Sequence, residues 1–163
     1  MYFSTGNDGP CAVSEPYAVS LIALRTTDLT LVGYWHVPAA QQGADSDFGA
    51  TATLFSATIN GAQRLLVGAA NKNGYYYTFD RTNLAAGPLW RTQVANTGDC
   101  PQCGDGSISP SAWDGATLYV AGGATIINGA SCSGSVRSLN PANGAVRWAR
   151  CLQGSNLGRC WAR

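Results

Sequence analysis

A pattern that recurs about every 55 to 60 residues constrains this chain more than any other feature. Each copy has a strand-like segment of alternating apolar residues, then a polar turn, then a second strand-like segment that contains a tryptophan. The tryptophans are Trp35, Trp90 and Trp148, separated by 55 and 58 residues. An internal repeat of this length indicates that one supersecondary unit is used several times, each copy burying its apolar face against the next.

Two further strand-like segments precede this pattern in the later copies. They are Ala50 to Ser56 and Arg64 to Ala69 in the second copy, and Ser107 to Ala112 and Thr117 to Ala121 in the third. Four strands per unit of this length are typical of a β-propeller blade. The expected fold is therefore all-β: a β-propeller of four-stranded antiparallel blades, present as a partial ring of about two and a half to three blades.

The repeat also predicts how the chain divides. We expect part of a blade in residues 1–37, one blade in 45–95, one in 105–152 and an irregular tail in 153–163. Because the chain starts directly in the strand-like segment Tyr2-Phe3-Ser4, it is expected to be an internal fragment. A β-sandwich of about a dozen strands is the structural alternative. It accounts for the strands but not for the recurring tryptophan.

Charge and hydropathy narrow the possible functions. The formal net charge is +1 with no run of like charges, so the sequence indicates no nucleic-acid partner and no polybasic membrane patch. Charged residues make up 12% of the chain, about half the usual share in soluble domains. No apolar run reaches the ~20 residues of a membrane-spanning helix. The 20 glycines are consistent with short strands joined by tight turns.

The six cysteines indicate an oxidising compartment, so we expect an extracytoplasmic protein, periplasmic or secreted. A loop-closing disulfide is favoured for Cys100 and Cys103, because the residues around them form turns. Cys132 and Cys151 flank a predicted hairpin, and a bridge between them would tie its ends together. Cys11 and Cys160 have no evident partner in the sequence.

The polar groups at the strand ends are the candidates for chemistry. Asp47 lies at the start of the second blade, Lys72 lies in an Asn-Lys-Asn-Gly turn within it, and Asn7 follows the first strand of the chain. Asp45 could join them, although a surface position is favoured for it. Each also has an ordinary structural role available, because Asp and Asn stabilise turns and a lysine at a hairpin tip is usually solvated. The third copy has Gly106-Ser107 and Gly122-Gly123 at the corresponding places.

Strand, turn, glycine and tryptophan recur in the same order in each copy. This repeat resembles that of the pyrroloquinoline-quinone (PQQ) type β-propellers, and the resemblance extends to about Gly154. Three motifs are similar to those of quinoprotein alcohol dehydrogenases and polyvinyl-alcohol-dehydrogenase-like proteins. They are Ser4-Thr5-Gly6-Asn7, Asp45-Ser46-Asp47-Phe48-Gly49, and Asn71-Lys72-Asn73-Gly74 followed by Tyr77.

This resemblance implies roles for three residues. Asn7 and Asp47 would be ligands of a calcium ion, Asp47 would also be the catalytic general base, and Lys72 would hydrogen-bond a PQQ cofactor. Calcium prefers amide and carboxylate oxygens, and an ammonium stabilises negative charge on a quinone oxygen. The implied substrate is a small-molecule or polymeric alcohol, and the implied partners are the remaining blades of the ring. These roles require Asn7, Asp47 and Lys72 to converge.

Two non-catalytic alternatives stay open, so the sequence alone leaves undecided whether the protein is an enzyme. One is a propeller that serves as a scaffold for protein assembly, and the other is a platform that binds a polymer or a carbohydrate. Ser46 precedes Asp47 where the resembled family usually has tryptophan, which favours these alternatives.

Overall fold

The computed structural model describes residues 1–9, 15–98, 100 and 103–152. Apart from two single-turn 3-10 helices, Ala39–Gln41 and Leu84–Ala86, its regular structure consists of short strands. In chain order these are β1 (Tyr2–Ser4), β2 (Ser20–Leu24), β3 (Leu31–His36), β4 (Thr53–Ile59), β5 (Ala62–Ala70), β6 (Tyr75–Asp80), β7 (Trp90–Gln93), β8 (Ala112–Trp113), β9 (Leu118–Gly122), β10 (Thr125–Ile127), β11 (Ala130–Cys132), β12 (Gly134–Leu139) and β13 (Val146–Leu152).

The strands form three consecutive antiparallel sheets, here named blades 1 to 3. Blade 1 has the order β1-β2-β3, blade 2 the order β4-β5-β6-β7 and blade 3 the order β8-β9-β12-β13. Strands β10 and β11 pair only with each other, as a hairpin inserted into blade 3 between β9 and β12. The expected all-β fold with four-stranded antiparallel blades is therefore confirmed.

Strand register places each of the three tryptophans on the last strand of its blade. The cross-strand rows are Trp35–Leu21–Ser4 in blade 1, Trp90–Thr78–Gly68–Thr53 in blade 2 and Trp148–Ser138–Tyr119–Ala112 in blade 3. Blade 1 thus consists of the equivalents of the second, third and fourth strands of blade 2. The repeat in the sequence is therefore a repeat of strands and blades in the structure.

The core lies between the blades. In β5 and β6, alternate residues point to opposite faces of the sheet, so Val67, Tyr77 and Phe79 are buried against blade 1, whereas Leu66 and Tyr76 are buried towards blade 3. Trp35 packs against the rings of Tyr77 and Phe79, with centroids 5.0 and 5.1 Å away. Burial of each such side chain contributes about 1.5–3 kcal/mol, so these two interfaces are the main source of cohesion.

The interface between blades 2 and 3 shows the same use of tryptophan. The Trp90 ring stacks on Tyr76, and its indole N–H donates to the Pro141 carbonyl oxygen at 3.1 Å. Gly144 lies in the same turn with φ +72°, and a Cβ there would overlap the Trp90 ring, so this position favours glycine. Trp148, the equivalent residue of blade 3, is 43% exposed, because the described chain places no further blade beside it.

Two strand predictions were wrong in detail. The first strand of blade 3 was expected at Ser107 to Ala112, but only Ala112–Trp113 pair with β9. Pro110 has no N–H to donate to a β-ladder. The next residue, Ser111, bonds to blade 2, where its carbonyl oxygen accepts a hydrogen bond from the Thr53 hydroxyl. The first strand of blade 2 was expected at Ala50 to Ser56 but starts at Thr53 and runs to Ile59.

Two disulfide bonds are present, Cys100–Cys103 and Cys132–Cys151, which are the pairings favoured by the sequence. The second joins the end of the inserted hairpin to β13, where Cys151 lies opposite Ser135. Cys11 and Cys160 lie outside the described residues. No helix in the described part of the chain has the length and apolar character needed to cross a membrane.

The connections between the strands lie at two ends of the sheets. At one end, short segments join β2 to β3, β4 to β5, β6 to β7, β8 to β9 and β12 to β13. At the other end, here called the loop end, are segments 37–52, 71–74 and 123–133 and the described residues of segments 5–19 and 94–111. Because the strands are antiparallel, these connections lie on the same side of the arc.

Candidate functional site

Three separate loop-end segments bring the predicted site residues together. Asn7 lies in the segment after β1, Asp47 in the connection between blades 1 and 2, and Lys72 in the turn between β5 and β6. Backbone hydrogen bonds tie the segments to one another: Phe48 N donates to Thr5 O at 3.4 Å, and Lys72 N donates to Asp47 O at 3.1 Å. The convergence is therefore fixed by the main chain as well as by side chains.

Lys72 is the centre of the cluster. Its Nζ lies 2.8 Å from Asp45 Oδ1 and 2.6 Å from Asp47 Oδ1. Asp45 Oδ1 also accepts a hydrogen bond from Asn7 Nδ2 at 2.7 Å, so Asn7 reaches Lys72 through Asp45. The side chains of Lys72, Asp45 and Asp47 are 19, 26 and 15% exposed, which leaves the group half-buried but open to solvent. We call these four residues the polar cluster.

The turn that holds Lys72 is built by its asparagines. Asn71 is fully buried, and its Oδ1 accepts a hydrogen bond from Asn73 N at 2.8 Å. Gly74 N donates to Asn71 O at 3.0 Å, which closes the turn. On the blade 3 side, Gly106 has φ +63°, and a Cβ there would overlap the Lys72 carbonyl group. Packing therefore restrains Lys72, and it is not a solvated hairpin tip.

The electrostatics favour the charged form of both partners. The hydrogen bond from Lys72, helped by Asn7, holds the pKa of Asp45 below its usual value in spite of partial burial. Burial by itself would lower the pKa of Lys72, but its hydrogen bonds and charge interactions with Asp45 and Asp47 outweigh burial and raise it. Two carboxylates and one ammonium leave the polar cluster with one net negative charge at neutral pH.

The polar cluster contains oxygen donors of the type that calcium prefers, with the Lys72 ammonium already beside both carboxylates. Asp45 and Asp47 offer carboxylate oxygens, and Asn7 engages Asp45 through its nitrogen rather than its amide oxygen. Asp47 Oδ1 is buried and has no aligned hydrogen-bond donor, although the Lys72 ammonium is close. In the described residues, no group of three or more His, Cys, Asp or Glu side chains gathers as a metal site. Calcium bound here would therefore complete its six to eight ligands with backbone, water or cofactor oxygens.

Sequence reasoning did not foresee two parts of this region. Asp45, for which a surface position was favoured, contacts both Asn7 and Lys72. Its spacing of two residues from Asp47 was the available signal, because such a pair in a turn can face one cation. The second part is a neighbouring cleft that contains Gln41 and Arg91. These two residues are far apart in sequence, and no motif connects them.

Comparisons with known proteins support the fold at low sequence identity. No protein-family model matches the sequence, and no curated protein is similar to it. Among solved structures, quinohemoprotein alcohol dehydrogenase from Comamonas testosteroni matches 93% of this chain with a TM-score of 0.66 and 15% identity. Quinohemoprotein alcohol dehydrogenase ADHIIG from Pseudomonas putida HK5 matches 83% with a TM-score of 0.60 and 12% identity. BamB from Moraxella catarrhalis matches 84% with a TM-score of 0.45 and 14% identity.

The matched regions are only part of each neighbour. The chain spans 33% of the Comamonas enzyme, 29% of the Pseudomonas enzyme and 31% of BamB. The likeness therefore concerns an arc of blades and not a complete ring. With its three antiparallel blades and repeated tryptophan contacts, this chain has the β-propeller fold of the quinohemoprotein alcohol dehydrogenases and corresponds to about a third of their length.

Proposed function

We propose that this chain is the cofactor-binding arc of an extracytoplasmic quinoprotein that oxidises alcohols, with the polar cluster directed at PQQ and calcium. One observation carries the proposal. Asn7, Asp47 and Lys72, which the family motifs single out, come from three distant segments and meet within hydrogen-bonding distance of one another or of Asp45. A structural role for each residue separately does not require them to meet.

The chemistry assigned to each residue follows from its environment. Asn7 and Asp47 would hold calcium through oxygen atoms, with Asp45 as an additional ligand. Lys72 would donate a hydrogen bond to the quinone and stabilise negative charge on its oxygen. When bound, PQQ supplies an acceptor for a hydride, and calcium polarises the accepting carbonyl. Asp47 would remove the hydroxyl proton of the alcohol, because a carboxylate can act as a general base.

The two disulfides support the compartment in this proposal, because such bonds persist mainly in oxidising environments. Their presence is independent of the polar cluster. The disulfides therefore support the proposed location and not the proposed activity.

The experiment is reconstitution of the intact protein with PQQ and calcium, followed by quinone absorbance and by dye reduction with alcohols. Asp47→Asn is expected to lower activity by at least 100-fold, since general-base catalysis typically contributes that much. Lys72→Gln is expected to weaken PQQ binding. Asp28→Asn is the matched control, because Asp28 lies in an exposed turn at the opposite end of blade 1, where it bonds to Thr30 and Arg25.

A second function, a non-catalytic assembly scaffold, is favoured by the ion pairs themselves. Lys72 is neutralised by two carboxylates of the connection between blades 1 and 2. Such ion pairs fasten that connection to blade 2, a role that requires no cofactor. If reconstituted protein shows neither quinone absorbance nor dye reduction, and if Lys72→Gln changes only stability, the scaffold function replaces the first proposal.

A further inference from the structure

A cleft of mixed polarity at the loop end lies beside the polar cluster and has no role in the proposed function. Its volume is about 430 Å³, enough for a ligand the size of a monosaccharide. The side chains that line it include Gln41, Gln42, Ser46, Asn73, Tyr75 and Arg91. They come from the connection between blades 1 and 2, from the turn between β5 and β6 and from strands β6 and β7, so the cleft is formed where the two blades join.

Arg91 is the charged residue of the cleft lining, and its guanidinium is held in place. Its Cζ lies 4.8 Å from the centroid of the Tyr75 ring, in a cation–π contact. Nη1 donates a hydrogen bond to Gln41 Oε1, which also accepts one from the Tyr77 hydroxyl at 3.1 Å. A stacked guanidinium is already oriented, so little side-chain entropy is lost when it binds an anion.

Arg91 has no acidic partner among the described residues. The ion pairs there join Arg25 to Asp28, Arg64 to Asp80 and Lys72 to Asp45 and Asp47. The acids nearest in the connection between the blades are thus already engaged by Lys72. The planar guanidinium offers several N–H donors in a fork that matches the two oxygens of a carboxylate.

Several other lining groups can bond to hydroxyls, beside the apolar surface of Ala40 and Tyr75. Gln41 is anchored through its backbone oxygen, which accepts a hydrogen bond from Asn73 Nδ2 at 3.0 Å. Gln42 is anchored through its Nε2, which donates to Val37 O at 2.6 Å. Ser46 and Thr97 add hydroxyl groups to the wall. Anchored amides and hydroxyls of this kind fix the orientation of a polar ligand.

We propose that this cleft binds a small hydroxylated carboxylate of the sugar-acid class, with Arg91 bound to the carboxylate. The site is separate from the polar cluster and does not depend on PQQ, calcium or alcohol oxidation. It would be present in either the enzyme or the scaffold.

The test is isothermal titration calorimetry of the intact protein with D-glucuronate as the probe and D-glucose as its neutral counterpart. Glucuronate is expected to bind saturably, and glucose at least about tenfold more weakly, since hydrogen bonds to a charged group are among the strongest in proteins. Arg91→Gln is expected to weaken glucuronate binding by about tenfold or more. Arg91→Lys, which keeps the charge but loses the planar fork, is expected to be intermediate.

The matched control is Arg147→Gln, which removes the same charge from an exposed arginine of blade 3 that bonds to Thr117. It should leave glucuronate affinity unchanged. Thermal unfolding of each variant separates binding from stability, because Arg91 also fastens Gln41. The proposal is overturned if glucuronate does not bind saturably, if glucose binds equally well, or if a folded Arg91→Gln protein keeps the parental affinity.

Discussion

The Trp90 indole N–H donates a hydrogen bond to the carbonyl oxygen of Pro141, a residue 51 positions later in the chain, at 3.1 Å. This bond crosses from the outer strand of blade 2 to a turn of blade 3. Thr92 strengthens the same contact by donating to Gly144 O at 2.7 Å. In this chain, neighbouring blades are therefore joined by directed hydrogen bonds as well as by apolar packing.

The first prediction concerns that contact. Trp90→Phe removes the donor, leaves the Pro141 carbonyl without its partner and reduces the stacking on Tyr76, so we expect a loss of about 1–2 kcal/mol in the free energy of unfolding. Trp148→Phe is the control, because Trp148 is equivalent in register but 43% exposed, and it should cost less than about 0.5 kcal/mol. Urea unfolding monitored by circular dichroism measures both. Equal losses would show that the interblade bond contributes nothing.

The second prediction concerns the central cation of the polar cluster. Lys72→Met leaves Asp45 and Asp47 near each other and half-buried without a counter-charge, which should cost about 1–3 kcal/mol at pH 7. Arg64→Met breaks an ion pair whose arginine side chain is 54% exposed, and such pairs are worth about 0–1 kcal/mol. Chemical unfolding at low and high salt compares the two variants. A larger loss for Arg64→Met would contradict the restrained geometry described for Lys72.

The third prediction is a pH dependence. The pKa of Asp45 is lower in the folded protein than its usual value of 3.8, because Lys72 and Asn7 stabilise the carboxylate. Its contribution to stability is therefore present above the usual pKa and is lost as the pH falls through the lower, folded pKa. The stability difference between the parent protein and Asp45→Asn should shrink between about pH 5 and about pH 2. A difference that stays constant over this range in equilibrium unfolding would rule out the assignment.

The fourth prediction concerns the Cys132–Cys151 bond, whose cysteines are 19 residues apart in sequence. Replacement of both by serine should lower the free energy of unfolding by about 3 kcal/mol, because the unfolded chain regains the freedom of the loop. Cys100 and Cys103 are separated by only 3 residues, so the same double replacement there should cost clearly less. Unfolding with and without reductant tests both bonds. Peptide mapping without reductant should recover each pair as a linked peptide.

Much of the fold could be predicted because the repeat has a physical cause. The last strand of each unit carries a tryptophan, and Trp35 and Trp90 contact the next blade, so the spacing of the tryptophans reveals the unit. The turn chemistry was also visible, since Asn-Gly and Pro-Ala-Asn-Gly sequences favour tight turns. The inserted hairpin Thr125–Cys132 was missed because its strands have three residues each, too few for periodicity to show.

The candidate site was only partly predictable, because contacts between distant loops leave no local pattern. Asn7 and Lys72 were proposed from motifs, whereas the contacts of Asp45 depend on how segment 37–52 crosses between the blades. The pairing of Arg91 with Gln41 depends on the same crossing. Spacing in the sequence identifies strands and turns, but the path of a long connection is decided by packing.

The tryptophan contact also gives the arc a direction. Trp35 lies against Gly87 in the turn between β6 and β7, and Trp90 bonds to Pro141 in the corresponding turn of blade 3, so blade 2 carries one half of the contact on each side. A blade that contains both its own turn and its own tryptophan can be duplicated or removed as a unit, and the remaining neighbours still fit. Exchange of half a blade breaks the contact on one side. Gene duplication in steps of about 55 to 60 residues is therefore the structurally neutral way for such a ring to change its size.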